Sequence, residues 1–109
     1  MYKVTFYIPE SHLDVVKTAM FNAGAGHIGN YDSCCWQIKG QGQFRPLNGS
    51  NPFIGNENTV QSVEEFRVEM VVKEECIYNV IEALKNTQPY ETPAFDVISL
   101  LKQFNSSEE

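Results

Sequence analysis

Three stretches carry residue types that could do chemistry. The first, Gly24-Ala25-Gly26-His27-Ile28-Gly29, has the glycine spacing of a dinucleotide-binding loop with an imidazole inside it. The second runs from Gly40 to Asn58 and holds four glycines, two prolines and a single cation, Arg45. Its glycines leave backbone amides free and Arg45 adds a guanidinium, which together could clamp an anion. The third, Gln88-Pro89-Tyr90-Glu91-Thr92-Pro93, sets a phenol ring beside a carboxylate in a segment that proline holds extended.

Each stretch depends on what positions it. A phosphate cradle must follow a strand and open a helix, so that the anion meets the helix's positive end. Here the order is reversed. Leu13, Val16, Met20 and Ala23 recur at helical spacing and place a helix before Gly24. The spacing predicts that this helix is capped by Ser11, with Asp14 near its positive end, and stops at Gly24. Gly26 and Gly29 then read as turn residues. His27 sits on that turn, where a neutral imidazole could bond a ligand or a metal near neutral pH. His12, in the first helical turn, reads as solvated.

The remaining elements follow from periodicity. Tyr2 to Ile8 alternates as a half-buried strand and ends at Pro9. Tyr31 to Ile38 reads as a second strand, Glu64 to Lys73 as a third and Ala94 to Leu100 as a fourth. Glu74 and Glu75 open a second helix with the stripe Ile77, Val80, Ile81 and Leu84. The order strand, helix, strand, strand, helix, strand predicts a ferredoxin-like βαββαβ sandwich, an α+β fold with two helices on one face of an antiparallel sheet. Thr5, Tyr7, Arg67 and Glu69 fall on the opposite face, mixed enough in polarity to meet another subunit. One domain is expected over 1–101, with a long loop at 40–58 whose Phe44, Phe53 and Ile54 must pack against something. A polar, acidic tail is expected at 102–109.

Eight basic residues against fourteen acidic ones leave a net charge of -6, and no basic cluster offsets it. That field argues against nucleic acid as a partner. No apolar run approaches the ~20 residues of a membrane helix, and the alternating start does not read as a signal peptide, so a cytoplasmic protein is expected. Cys34, Cys35 and Cys76 read as packing thiols, being odd in number and without metal-ligand spacing. No nucleophile elbow, phosphate-binding loop or activated cysteine is visible, and no catalytic residue is assigned.

Read in order, GAGHIGNYDSCCW, GQGQFRPLNGSNPFIG, EEFRVEMVV and QPYETPAFDV resemble the PII/CutA-like domain of the Nif-three-like proteins. In YqfO-type members that domain is an insert in a larger metal-binding protein, and it also exists as a short stand-alone chain, which this one resembles over residues 2–100. The resemblance implies a fold related to CutA and PII, both of which assemble as trimers. In PII, the loop between the second and third strands carries regulation, with small ligands bound at its base between subunits. The family's di-metal site belongs to the flanking domain and is not carried over. Where relatives commonly have His before Pro-Tyr-Glu, this chain has Gln88.

The expected function is a non-enzymatic, oligomeric module that binds a small ligand or regulates a partner. Its ligand-binding residues are expected to be Gly26, His27, Gly29, Gly42, Arg45, Tyr90 and Glu91. Arg45 would hold an anionic group with help from amides near Gly26 and Gly42, while Tyr90 stacks and Glu91 accepts a donor. His27 is expected to face a cleft shared between subunits. Two other classes stay open. One is divalent-metal binding of CutA type, with His27 the best candidate beside a cysteine and a carboxylate. The other is a small hydrolase using carboxylates around Glu69 and Glu91.

Overall fold

The alternation that opens the chain becomes β1, Tyr2–Ile8. Val4, Phe6 and Ile8 are almost wholly buried, as a period of two requires when one strand face meets a core. The computed structural model describes residues 1–102, so all but the first residue of the expected tail lies outside it. After β1 come α1 (Glu10–Asn22), β2 (Trp36–Phe44), β3 (Gln61–Val72), a 3-10 turn (Glu74–Cys76), α2 (Ile77–Thr87) and β4 (Phe95–Ser99). The strands form one antiparallel sheet in the order β2-β3-β1-β4. This is the ferredoxin-like arrangement that the element order predicts.

Both helices cover the same sheet face. Leu13, Val16 and Met20 of α1 and Val80 and Leu84 of α2 share one apolar cluster with β1 and with Val68, Met70 and Val72 of β3. Fully burying side chains of this size contributes about 1.5–3 kcal/mol each. Among the described residues, no helix is long and apolar enough to cross a membrane.

The end of α1 shows why Gly24 stands where it does. The Gly24 amide donates to the Phe21 carbonyl at 3.0 Å and the Ala25 amide to the Met20 carbonyl at 3.0 Å. These are the two bonds of a Schellman cap, which needs a left-handed residue just past the helix. Gly24 takes it at φ 114°, and Ala25 then drops into the core.

Three expectations are corrected. Ser11 does not cap α1: Pro9 occupies that position with extended dihedrals, and the Ser11 hydroxyl bonds His12 Nδ1 at 2.8 Å instead. The helix starts one residue earlier than its serine because Pro9 already directs the chain into it. Glu10 rather than Asp14 is the acid of the first turn. The second strand runs over Trp36–Phe44, not Tyr31 to Ile38. Gly26, Gly29 and Ser33 all have positive φ, and Ile28 and Tyr31 pair across a tight turn, so this stretch cannot extend. Consequently Gly40 and Gly42 belong to β2, and the long loop begins at Arg45 rather than at Gly40.

A methyl group on Gly24 would sit 2.7 Å from the Cys76 sulfur in a backbone region that L-residues avoid. Gly24→Ala is therefore expected to cost about 1–3 kcal/mol, seen as a lower urea midpoint at unchanged slope. Adding Cys76→Ala should recover the steric part of that loss; an unchanged midpoint in the single variant would contradict this account of the cap.

Candidate functional site

The site grows out of a length mismatch. β1 pairs with β3 only from Phe66 to Val72, whereas β2 pairs with β3 from Gln61 to Glu69. The outer half of the β2–β3 hairpin has no β1 beside it, and the 45–60 loop closes the gap. That loop first bonds itself: the Asn58 amide donates to the Pro46 carbonyl, and Asn58 Nδ2 donates to Asn48 Oδ1 at 2.7 Å. It is then tied to the body. The Asn51 amide donates to Glu91 Oε1 at 2.9 Å. Phe53 meets the His12 ring edge-on at 5.5 Å and the Tyr90 ring at 6.3 Å. His12, expected in solvent, is thus an anchor for the loop.

Between the loop, the hairpin and the 90–94 segment lies a cleft of about 600 Å³. This is within the range of small-molecule sites. Phe44, Phe53 and Ile54 line it, which answers where the loop's apolar residues pack. Its charged lining residues are Arg45, Glu65 and Glu91. Among the described residues Arg45 has no ion-pair partner.

Tyr90 is held in place from two sides. Its hydroxyl donates to Glu65 Oε2 at 2.9 Å, and its carbonyl accepts from Gln88 Nε2 at 2.7 Å. Burial first, then the hydrogen bond to Glu65 and that carboxylate's charge, push the phenol well above its ordinary value. Gly42 makes the approach of Glu65 feasible. Glu65 crosses β2 at this glycine, so closely that a Cβ there would collide with the carboxylate. Gly42 therefore serves by lacking a side chain, and it stands in the β2–β3 ladder opposite Val63 rather than in a loop.

Of the seven expected ligand residues, the structure brings Gly42, Arg45, Tyr90 and Glu91 to this cleft and leaves Gly26, His27 and Gly29 out of it. The Gly26 amide donates to the Val71 carbonyl at 2.8 Å, so it is not free to cradle an anion. Val71 and Glu65 are six residues apart on β3, or about 20 Å along a strand. His27 is exposed on its turn. Among the described residues no three His, Cys, Asp or Glu converge to hold a metal ion.

The other sheet face carries Lys3, Arg67 and Glu69. Glu69 pairs with Lys3 at 2.8 Å and Arg67 at 3.2 Å. The Lys3 hydrogen bond, against some desolvation and with help from both cations' charge, holds Glu69 below the usual carboxylate range. Around these charges lie Trp36, Ile38 and Ile98, all more than half exposed.

Comparison with known proteins places this geometry. No family model matches the chain. The GTP cyclohydrolase 1 type 2 homolog of Halalkalibacterium halodurans is 42% identical over 103 residues, which are 94% of this chain and 28% of that protein. The same-named protein of Mycobacterium tuberculosis is 42% identical over 99 residues, 91% of this chain and 26% of its own length. A Bacillus cereus protein related to NIF3 superposes with TM-score 0.79 at 36% identity, over 91% of this chain and 25% of that one. The chain is homologous to one part of these Nif-three-like proteins, spans about a quarter of their length and has a PII/CutA-like fold. A PII-like CutA from Nostoc shares the fold, with TM-score 0.70 at 16% identity over 99% of this chain and 88% of that one.

Two residues of the domain's cleft escaped sequence reasoning. Glu65 is one acid among fourteen, and only the β2–β3 register sets it across from the glycine that makes room for it. Asn51 acts through its backbone amide, which no side-chain pattern signals.

Because the folded-state value of Tyr90 is raised, its contribution to stability is complete below the ordinary tyrosine value of ~10 and fades as pH rises beyond it. Tyr90 should be the last of the five tyrosines to ionise in an ultraviolet titration. Gly42→Ala should displace Glu65, return that last ionisation toward the ordinary range and cost about 1–3 kcal/mol. A titration curve identical to the parent's would contradict the role given to Gly42.

Proposed function

We propose that this domain is a non-enzymatic small-ligand-binding or regulatory module that works as an oligomer, with the cleft beneath the 45–60 loop as its binding site. The observation that carries the reading is a mostly apolar cleft onto which a guanidinium opens with no ion-pair partner among the described residues. Such a group is matched to a carboxylate or phosphate and would gain two charge-assisted bonds on binding one. The loop supports it, being folded on itself and tethered at Asn51 and Phe53, so little order has to be created when a ligand arrives.

The cyclohydrolase wording in the relatives' names belongs to those longer proteins. We infer no turnover by this domain, because the cleft's carboxylates already serve the fold. Glu65 accepts the Tyr90 hydroxyl and Glu91 accepts the Asn51 amide. Assembly as a trimer, which the family resemblance implies, is supported by Trp36, Ile38 and Ile98 clustered on the uncovered sheet face.

A thermal-shift screen of inorganic phosphate, small carboxylates and nucleotides tests the binding reading. A ligand at 100 times its dissociation constant should add about 2.7 kcal/mol of stability. Arg45→Ala should abolish that gain while leaving the unliganded protein's unfolding unchanged; equal gains in both proteins would refute the role of Arg45. Light scattering at tens of micromolar should give a trimer mass, with emission from Trp36, the single tryptophan, shifting to the blue relative to a dilute monomer. A monomer at that concentration would count against assembly.

A further inference from the structure

The cleft's charges are of both signs, and they are not paired with each other. Arg45 and Glu91 line the same space, yet neither forms an ion pair with the other. Glu65 is committed, with one oxygen on the Tyr90 hydroxyl and the other packed at Gly42. Glu91 is not. It is exposed, and only its Oε1 is engaged, by the Asn51 amide. An ionised carboxylate has about four acceptor sites, so most of its capacity remains. Arg45 likewise keeps five donors without a carboxylate partner among the described residues.

Between these charges the lining is apolar. Phe53 remains 49% exposed although it touches two other rings, so the cleft offers it no cover of its own. A simple anion would satisfy Arg45 but would also meet the Glu91 carboxylate and the repulsive field of a chain of net charge -6. A simple amine would leave Arg45 unmatched. A molecule with both charges on an apolar body answers all three features.

We propose that the cleft takes a small zwitterion with an aromatic or apolar body, of the amino-acid or dipeptide class. Its carboxylate lies on Arg45, its ammonium on Glu91, and its body against Phe53 and Phe44. This rests on the cleft being the binding site, as proposed above, and names the chemistry of its ligand. Apolar burial supplies the affinity, and the two separated charges supply orientation and selectivity.

The test uses matched probes in calorimetry or thermal-shift titration. L-phenylalanine is compared with hydrocinnamate, which lacks the amine, and with phenethylamine, which lacks the acid. Glycyl-L-phenylalanine is compared with its N-acetyl and amide forms, because a dipeptide places its charges further apart. At least one zwitterion should bind about tenfold more tightly than both of its one-charge analogues, each of which forgoes one charge-assisted hydrogen bond. Glu91→Gln retains an acceptor for the Asn51 amide and so keeps the loop tethered. It should bring the zwitterion's affinity down to that of the acid-only analogue, whose own binding does not weaken and gains whatever the Glu91 charge had cost it. Arg45→Gln should do the same toward the amine-only analogue.

Analogues with one charge that bind as tightly as the zwitterions would overturn the inference. So would binding confined to phosphate or nucleotides in an Arg45-dependent manner, which would leave the cleft as the site. No binding by any probe, phosphate or nucleotide would overturn both readings.

Discussion

The ladder between β1 and β3 is the constraint on which the other parts of the molecule depend. Tyr2 to Ile8 pair with Val72 to Phe66, and β1 carries β4 on its other edge. A slip of one residue would send Lys3, Thr5 and Tyr7 into the apolar cluster and expose Val4, Phe6 and Ile8. Burial of those residues against α1 and α2 therefore sets register and helix position together. The same alternation directs Lys3 toward Glu69 and places Tyr7 at the cleft.

From that register the cleft follows. β1 has seven residues and β3 has twelve, so part of β3 and its partner β2 extend past the packed sheet. An overhanging hairpin needs cover, and the 45–60 loop supplies it through Phe53, His12 and Tyr90 rather than through a helix. Tyr90 is positioned by a glycine on the far edge strand, because Gly42 is the place where Glu65 can cross β2. Two glycines of one strand thus do different work: nothing approaches the Cβ direction of Gly40, while Gly42 is occupied by a neighbour.

The two ends of the sheet serve different ends. At one, the 24–35 stretch is spent on closing α1 and returning the chain to β2, with Gly24 and Gly26 each in a left-handed conformation against close neighbours. At the other, backbone and side chains converge on an open cleft whose Arg45 has no ion-pair partner among the described residues. The glycine pattern that looks like chemistry is structural, and the plainer loop lines the space where a ligand would fit.

Much of this is legible in the sequence. Alternation in Tyr2–Ile8, the stripes of both helices and Gly24 as a stop all act over short range, where side-chain period and backbone permissiveness decide the outcome. The motif order also points to the family. The shift of β2 to Trp36–Phe44 and the capture of Gly40 and Gly42 by a strand are not legible, because each depends on a partner distant in sequence. The same holds for the site. Arg45, Tyr90 and Glu91 can be singled out as residue types, but the sequence alone holds them level with Gly26, His27 and Gly29. Only the tertiary structure separates the two sets, because distance along β3 is a property of register and strand length, and neither is written in any one segment.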